Sequence, residues 1–171
     1  METWDAIRAR RDVRRYSDRA ISPEELDRIL EAGRRSPSSS NDQRWEFVVC
    51  TDRAQLEALA KVWRAARHVA TSAATIVVIA PESDDPSTRE SIEFDLGQAT
   101  MSMMIAAADL GIGSGHAIVE DQDLARRLLD IPTDRRAAFL IAMGYPADRP
   151  LRPIERPNRR PFDEVVHRDR W

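Results

Sequence analysis

The chain has 171 residues, 42% hydrophobic and 32% charged, enough for one ordinary domain with a buried core. Its formal net charge of −3 and pI near 5.7 argue against a broad basic face for nucleic acid. No apolar run approaches the roughly 20 residues that span a bilayer. The opening "METWDAIRARR" lacks the apolar core of a signal peptide, and the one cysteine, Cys50, has no internal disulfide partner. These features predict a single domain over residues 1–171, in the cytoplasm.

In chain order, a first helix is expected over Trp4–Arg10 with Thr3 as its N-cap. Ser22, Pro23 and Glu25 give a stronger start signal, combining an N-cap, a first-turn proline and a capping-box acid. Leu26, Ile29 and Leu30 supply that helix's apolar stripe. The polar loop "SPSSSNDQ" then leads into the strand "WEFVVCT", where Cys50 reads as a small buried hydrophobe rather than a reactive thiol. Asp52 caps a helix whose buried face would use Leu56, Leu59, Val62 and Trp63. "ATIVVIA", Ala74–Ala80, is nearly continuous and apolar, as in a strand covered on both faces.

After the turn "PESDDPSTRE", one long helix runs to Leu110. Its Ala- and Met-rich stretch is apolar on most sides, which suits a central helix or one packed on a second subunit. Its methionines read as core. Gly111, Gly113 and Gly115 then break the chain, a helix fits Gln122–Leu129, and "AAFLIAMGYP" is the last strand. The remainder is rich in Pro and Arg and reads as extended. Strands separated by helices indicate a mixed α/β or α+β layer fold.

Most familiar chemistries fail on spacing. His68, His116 and His167 are far apart, with no cysteine or histidine at metal-ligand spacing. There is no nucleophile elbow. "GIGSG" follows a helix rather than a strand and lacks the lysine of a phosphate loop. What remains is arginine. "RARRDVRRYSD" packs five of them between Arg8 and Arg15, and Arg159 and Arg160 sit near the other terminus. Arg10 and Arg14, four apart, could share one side of a helix end. Forked guanidinium donors suit a phosphate, and Ser38, Ser40, Asn41 and Gln43 could hydrogen-bond a polar ring edge. Each piece alone reads as a solvated charge run or a polar loop; together they favour a phosphorylated heterocycle.

Four segments in order resemble the FMN-dependent nitroreductase family. They are "RRDVRRYSD", "ILEAGRRSPSSSNDQRWEFVV", "DLGIGSGHAIVEDQDLARRLLDIP" and "GYPADRPLRPIERPNRRPFDEVVH". The resemblance implies a three-layer α+β fold, with a central mixed sheet flanked by helices. It implies an intertwined homodimer with an extended C-terminal tail and FMN at the subunit interface. It also implies ping-pong electron transfer from NADH or NADPH through FMN to nitro compounds, quinones or a related small acceptor. Carried over by position, Arg10, Arg11 and Arg14 would hold the phosphate and the pyrimidine edge, and Arg159 and Arg160 would complete the phosphate site. Pro37, Ser38, Ser39, Ser40, Asn41 and Gln43 match the loop that reaches FMN, commonly from the partner. Ala117 and Ile118 fall near the backbone N–H that approaches the flavin. No protein acid or base is required, because the cofactor carries the chemistry.

The departures are Asp12, where most members have serine, Arg44 in place of a proline, and a short segment between Ala80 and Ser91. The short segment predicts an open site. "RRDVR" also opens the dimethylbenzimidazole-forming flavin destructases of the same superfamily. The plainer reading is that Asp12 orients Arg11 or Arg14, or contacts the ribityl chain. A destructase-like enzyme, a flavin-storage protein without turnover and an arginine-driven anion or nucleic-acid binder remain the alternatives.

Overall fold

The computed structural model describes residues 1–171. In chain order they form α1 (Thr3–Ala9), α2 (Pro23–Arg34), β1 (Glu46–Cys50), α3 (Arg53–Leu59), β2 (Ala74–Pro81), α4 (Pro86–Asp109), β3 (Gly113–Ile118), α5 (Gln122–Leu129) and β4 (Arg135–Gly144). Short 3₁₀ turns add Ser39–Asn41, Arg67–Thr71 and Phe162–Glu164.

The helix starts follow their chemistry. Ser22 and Glu25 form the reciprocal capping box at α2. Asp52, Asp85 and Asp121 accept from Gln55, Thr88 and Leu124 to cap α3, α4 and α5. Helix α1 begins one residue earlier than expected: Thr3 is inside it, and Glu2 at the cap makes no side-chain bond. Helix α3 stops at Leu59, so Val62 is buried beyond the helix rather than on its face.

The four strands lie in the order β1-β2-β4-β3. All three ladders are antiparallel, which corrects the expected mixed sheet; the one parallel pairing is the isolated bridge of Asp12 with Ser114. The reason is topological. Helix α4, about 36 Å long at 1.5 Å per residue, carries the chain back along the sheet, so β2 and β3 run in the same direction. Strand β4 then inserts between them, and every neighbour runs opposite.

Side chains of β2 alternate between two cores, as the strand period requires. Ile76, Val78 and Ala80 pack with α2 and α4, while Val77 and Ile79 pack with α3 and α5. The result is three layers with β2 covered on both faces. A bulge at Ala138 shifts the β2–β4 register, so Ala138 and the partly buried Phe139 both pack on the α2/α4 side. In α4, Met103 and Met104 are core, but Met101 is exposed.

Strand β3 was not expected, because glycines weaken a strand. Its glycines make room instead. A Cβ on Gly113 would sit 2.5 Å from the Val13 side chain, and one on Gly115 would sit 2.6 Å from the Val13 carbonyl oxygen. The N-terminal arm therefore lies directly on this edge strand. Gly115→Ala, which drives a methyl into backbone, should destabilise the protein by about 1–3 kcal/mol in urea unfolding, with β3 and the arm losing amide protection first.

Candidate functional site

Beyond α1 the chain runs extended across β3. Val13 N–H donates to the Ser114 carbonyl at 2.9 Å. The Tyr16 ring covers Gly144, and its hydroxyl donates to the carbonyls of Val13 at 2.7 Å and Ala142 at 3.1 Å. Burial pushes the Tyr16 phenol far above its ordinary pKa, which keeps it a neutral donor. The tail clasps the arm from outside. Arg11 pairs with Asp148 at 3.1 Å and donates to the Arg149 carbonyl at 2.8 Å, Ile154 N–H donates to the Arg8 carbonyl, and Leu151 is buried against Ala9, Val13 and Ala108.

An extended chain places alternate side chains on one side. Arg10, Asp12 and Arg14 accordingly gather, with Asp12 between Arg10 at 3.5 Å and Arg14 at 3.9 Å. This corrects the helix-spacing argument: the two arginines share a side because the arm is extended, not helical. It also separates Arg11 from them, since its fork is already committed to the tail. Asp12 contacts Arg10 and Arg14 rather than Arg11. Pairs this long between half-exposed groups contribute little to stability, so both guanidinium groups are free to take a stronger anion.

Ser114 and Val13 also fix which edge groups are free. With the Ser114 carbonyl turned to the arm, alternation in the β3–β4 ladder turns the N–H of His116 and Ile118 to the same open edge and that of Ala117 toward β4. Ala117 is buried and Ile118 exposed, so of the two expected residues only Ile118 offers a free N–H. Behind the strand lies His68, buried, with Nε2 3.3 Å from the Gly115 carbonyl oxygen and Nδ1 without a partner. Burial lowers its pKa below 6.5, and the Arg14 charge adds to the shift.

The serine loop forms the second element. Ser36 Oγ donates to Ser102 Oγ of α4 at 2.9 Å, and Gln43 N–H donates to Ser38 Oγ at 2.9 Å. Ser39 N–H donates to both carboxylate oxygens of Asp95, at 3.1 and 3.0 Å. Ser40, Asn41 and Gln43 hold φ of 52°, 58° and 52°. Left-handed backbone at residues other than glycine costs about 1–2 kcal/mol each, and such strain gathers at functional sites. Arg44 pairs with Asp42, and the buried Trp45 anchors the exit.

The two elements do not meet within one chain. Ser39 of the loop is tied to Asp95 and the arm packs on Ala108, thirteen residues along the same helix, a rise of about 20 Å, with Ser36 at the loop's start tied to Ser102 between them. Arg159 and Arg160 remain in the tail, bonded to the Asn158 carbonyl and to Glu164, and nothing joins them to Arg10 or Arg14. Sequence reasoning missed Asp95, Ser114, His68 and Tyr16. None left a signal: Asp95 follows Glu90 and Glu93 ahead of the apolar stretch of α4 and reads as one more solvated acid.

The arm, the glycine edge and the strained serine loop on a three-layer α+β frame define a class, and comparison with known proteins names it. The Nitroreductase family model matches residues 7–68 and 61–145. The chain belongs to the nitroreductase family. An Archaeoglobus fulgidus protein named for NADH dehydrogenase and NAD(P)H nitroreductase activity is 32% identical over 99% of both chains. The oxygen-insensitive NADPH nitroreductase of Salmonella typhimurium is 28% identical over 99% of this chain and 74% of its own length. Among solved structures, an FMN-dependent nitroreductase of Clostridium difficile superposes with a TM-score of 0.84 at 24% identity, covering 97% of this chain and 98% of that one.

Two outcomes test this geometry. The unfolded chain protonates His68 near pH 6.5 and the folded chain only at lower pH, so stability should fall as pH drops below 6.5 toward the folded value. His68→Gln should flatten that part of the slope in chemical denaturation at pH 7.5, 6.0 and 5.0. Asp12→Ser should bind inorganic phosphate severalfold more tightly than wild type, read as a larger rise in Tm at equal phosphate. An equal rise would mean that Asp12 does not stand in the anion position.

Proposed function

We propose that the chain is an FMN-dependent NAD(P)H oxidoreductase acting on nitro compounds, quinones or a related small acceptor, with its flavin site built from two copies. The observation that carries this is the Asp12 carboxylate bracketed by Arg10 and Arg14 beside the open edge of β3. An internal carboxylate already occupies a cradle that a phosphate fits better, because a phosphate near charge −2 draws more from forked donors.

Bound FMN would supply two-electron chemistry, accepting from NAD(P)H and delivering to the acceptor in a second step. The chain's own work is binding and orientation. Arg10 and Arg14 would hold the phosphate, the Ile118 N–H on the free edge would meet the ring's polar atoms, and the Pro37–Gln43 loop would close over it. A guanidinium near the ring would also stabilise negative charge there.

The rise of about 20 Å along α4 between the Ser39 anchor and the arm supports a homodimer, in which one copy's loop completes the other's cradle. Surface composition agrees. Phe94 and Met101 on α4 and Trp4 and Ile7 on α1 are exposed, as are Phe162, Val165 and Val166 in the tail. A face of this kind on a water-facing helix calls for a partner. The tail arginines, Arg159 and Arg160, bond to Asn158 and Glu164 of the tail and do not join Arg10 or Arg14 in the single chain. The names of the relatives, among them an NADPH nitroreductase and an FMN-dependent nitroreductase, fit the same reading.

Titration of the purified protein with FMN, followed by flavin fluorescence, tests it. Arg14→Ala should weaken FMN about ten- to a hundredfold, the loss of one charge-assisted hydrogen bond. Arg11→Ala should instead lower Tm and leave FMN affinity nearly unchanged, because Arg11 holds the tail. A wild-type chain that cannot bind FMN would sink the proposal. Bound FMN that neither NADH nor NADPH bleaches anaerobically would point to flavin storage. A ring-contracted flavin product in air would point to a destructase role for Asp12.

A further inference from the structure

Helix α4 grips the Pro37–Gln43 loop at two places on one side. Ser102, which itself donates to the Gln98 carbonyl, takes the Ser36 hydroxyl where the loop begins. Asp95, two turns earlier, takes the Ser39 N–H. Asp95 is only 2% exposed, and that single N–H is the only donor in reach of its carboxylate. A buried carboxylate normally requires a cation or several donors, because one N–H does not replace its water. As a stabiliser of the fold, Asp95 is therefore poorly placed.

As a clamp it is well placed. The amide it fixes is the last one before the left-handed residues Ser40 and Asn41, with Gln43 left-handed two residues later. An exposed loop of serines and asparagine relaxes out of that conformation unless an outside contact holds it.

We propose that Asp95 is a positioning residue: by clamping Ser39 it holds the Pro37–Gln43 loop in its binding conformation and sets flavin affinity, without touching the cofactor. The inference rests on the flavin reading above. Removing Asp95 leaves the Ser39 amide in an exposed loop where water satisfies it, and relieves α4 of a buried carboxyl group with a single donor. Loop order and stability of the fold should therefore separate. A merely structural acid would lose them together.

The test uses full-length wild type, Asp95→Ala, Asp95→Asn and Ser39→Pro, which deletes the same hydrogen bond from the loop side. FMN affinity is read by flavin fluorescence, and fold stability by Tm of the flavin-free protein. Loop order is read by amide exchange over residues 38–43. Asp95→Ala and Ser39→Pro should each bind FMN at least tenfold more weakly. Asp95→Ala should also exchange faster in the loop, at an unchanged Tm. Asp95→Asn keeps an oxygen for the Ser39 N–H and should stay within a few-fold of wild type. Asp95→Ala binding FMN like wild type would overturn the inference alone. So would an affinity loss that only follows a fallen Tm, or a chain that no longer folds. Wild type that binds no FMN would overturn the flavin reading and this inference together.

Discussion

One backbone hydrogen bond, from Val13 N–H to the Ser114 carbonyl at 2.9 Å, fixes the arm that carries the candidate site. It exists because β3 has no side chain at Gly113 or Gly115, so the arm can lie against bare backbone. Everything near the site follows from that contact. The extended arm sorts its arginines by parity, presenting Arg10 and Arg14 around Asp12 and turning Arg11 to the tail. The Ser114 carbonyl, turned outward to meet the arm, sets which N–H groups of β3 face the open edge. Tyr16 and the tail then lock the arm from both sides.

Helix α4 imposes the second constraint. It spans the sheet, carries the loop on its middle turns at Asp95 and Ser102, and carries the arm near its end. A single copy thus carries both elements of the proposed site without joining them. The apolar side chains that α1, α4 and the tail leave in solvent lie on the same elements. Separation of the halves and exposure of these faces both support the proposed second copy.

Much of this was legible in the sequence. The capping box at Ser22–Glu25, the doubly covered strand at Ala74–Ala80 and the short helix at Gln122–Leu129 emerged because capping chemistry and hydrophobic period are local properties. Strand β3 was not legible, since its glycines serve a contact with residues a hundred positions away. Asp95 and His68 were missed for the same reason: burial and partner are tertiary facts, and a lone acid or histidine does not announce them. The grouping of Arg10 with Arg14 was expected, but through the wrong geometry. Spacing of four suits a helix face, and an extended strand also puts i and i+4 on one side. Only the glycine-edged β3 resolves that ambiguity.

The central claim is that two chains share each flavin site, and subunit mixing tests it most directly. One chain would carry Arg10→Ala with Arg14→Ala; the other would carry glycines in place of residues 38–43. Each alone should bind no FMN. In a mixed dimer both lesions fall in one site and the other site is intact, so the account predicts one FMN per mixed dimer. No FMN in the mixed dimer would place arm and loop of a site in the same chain, and would contradict it.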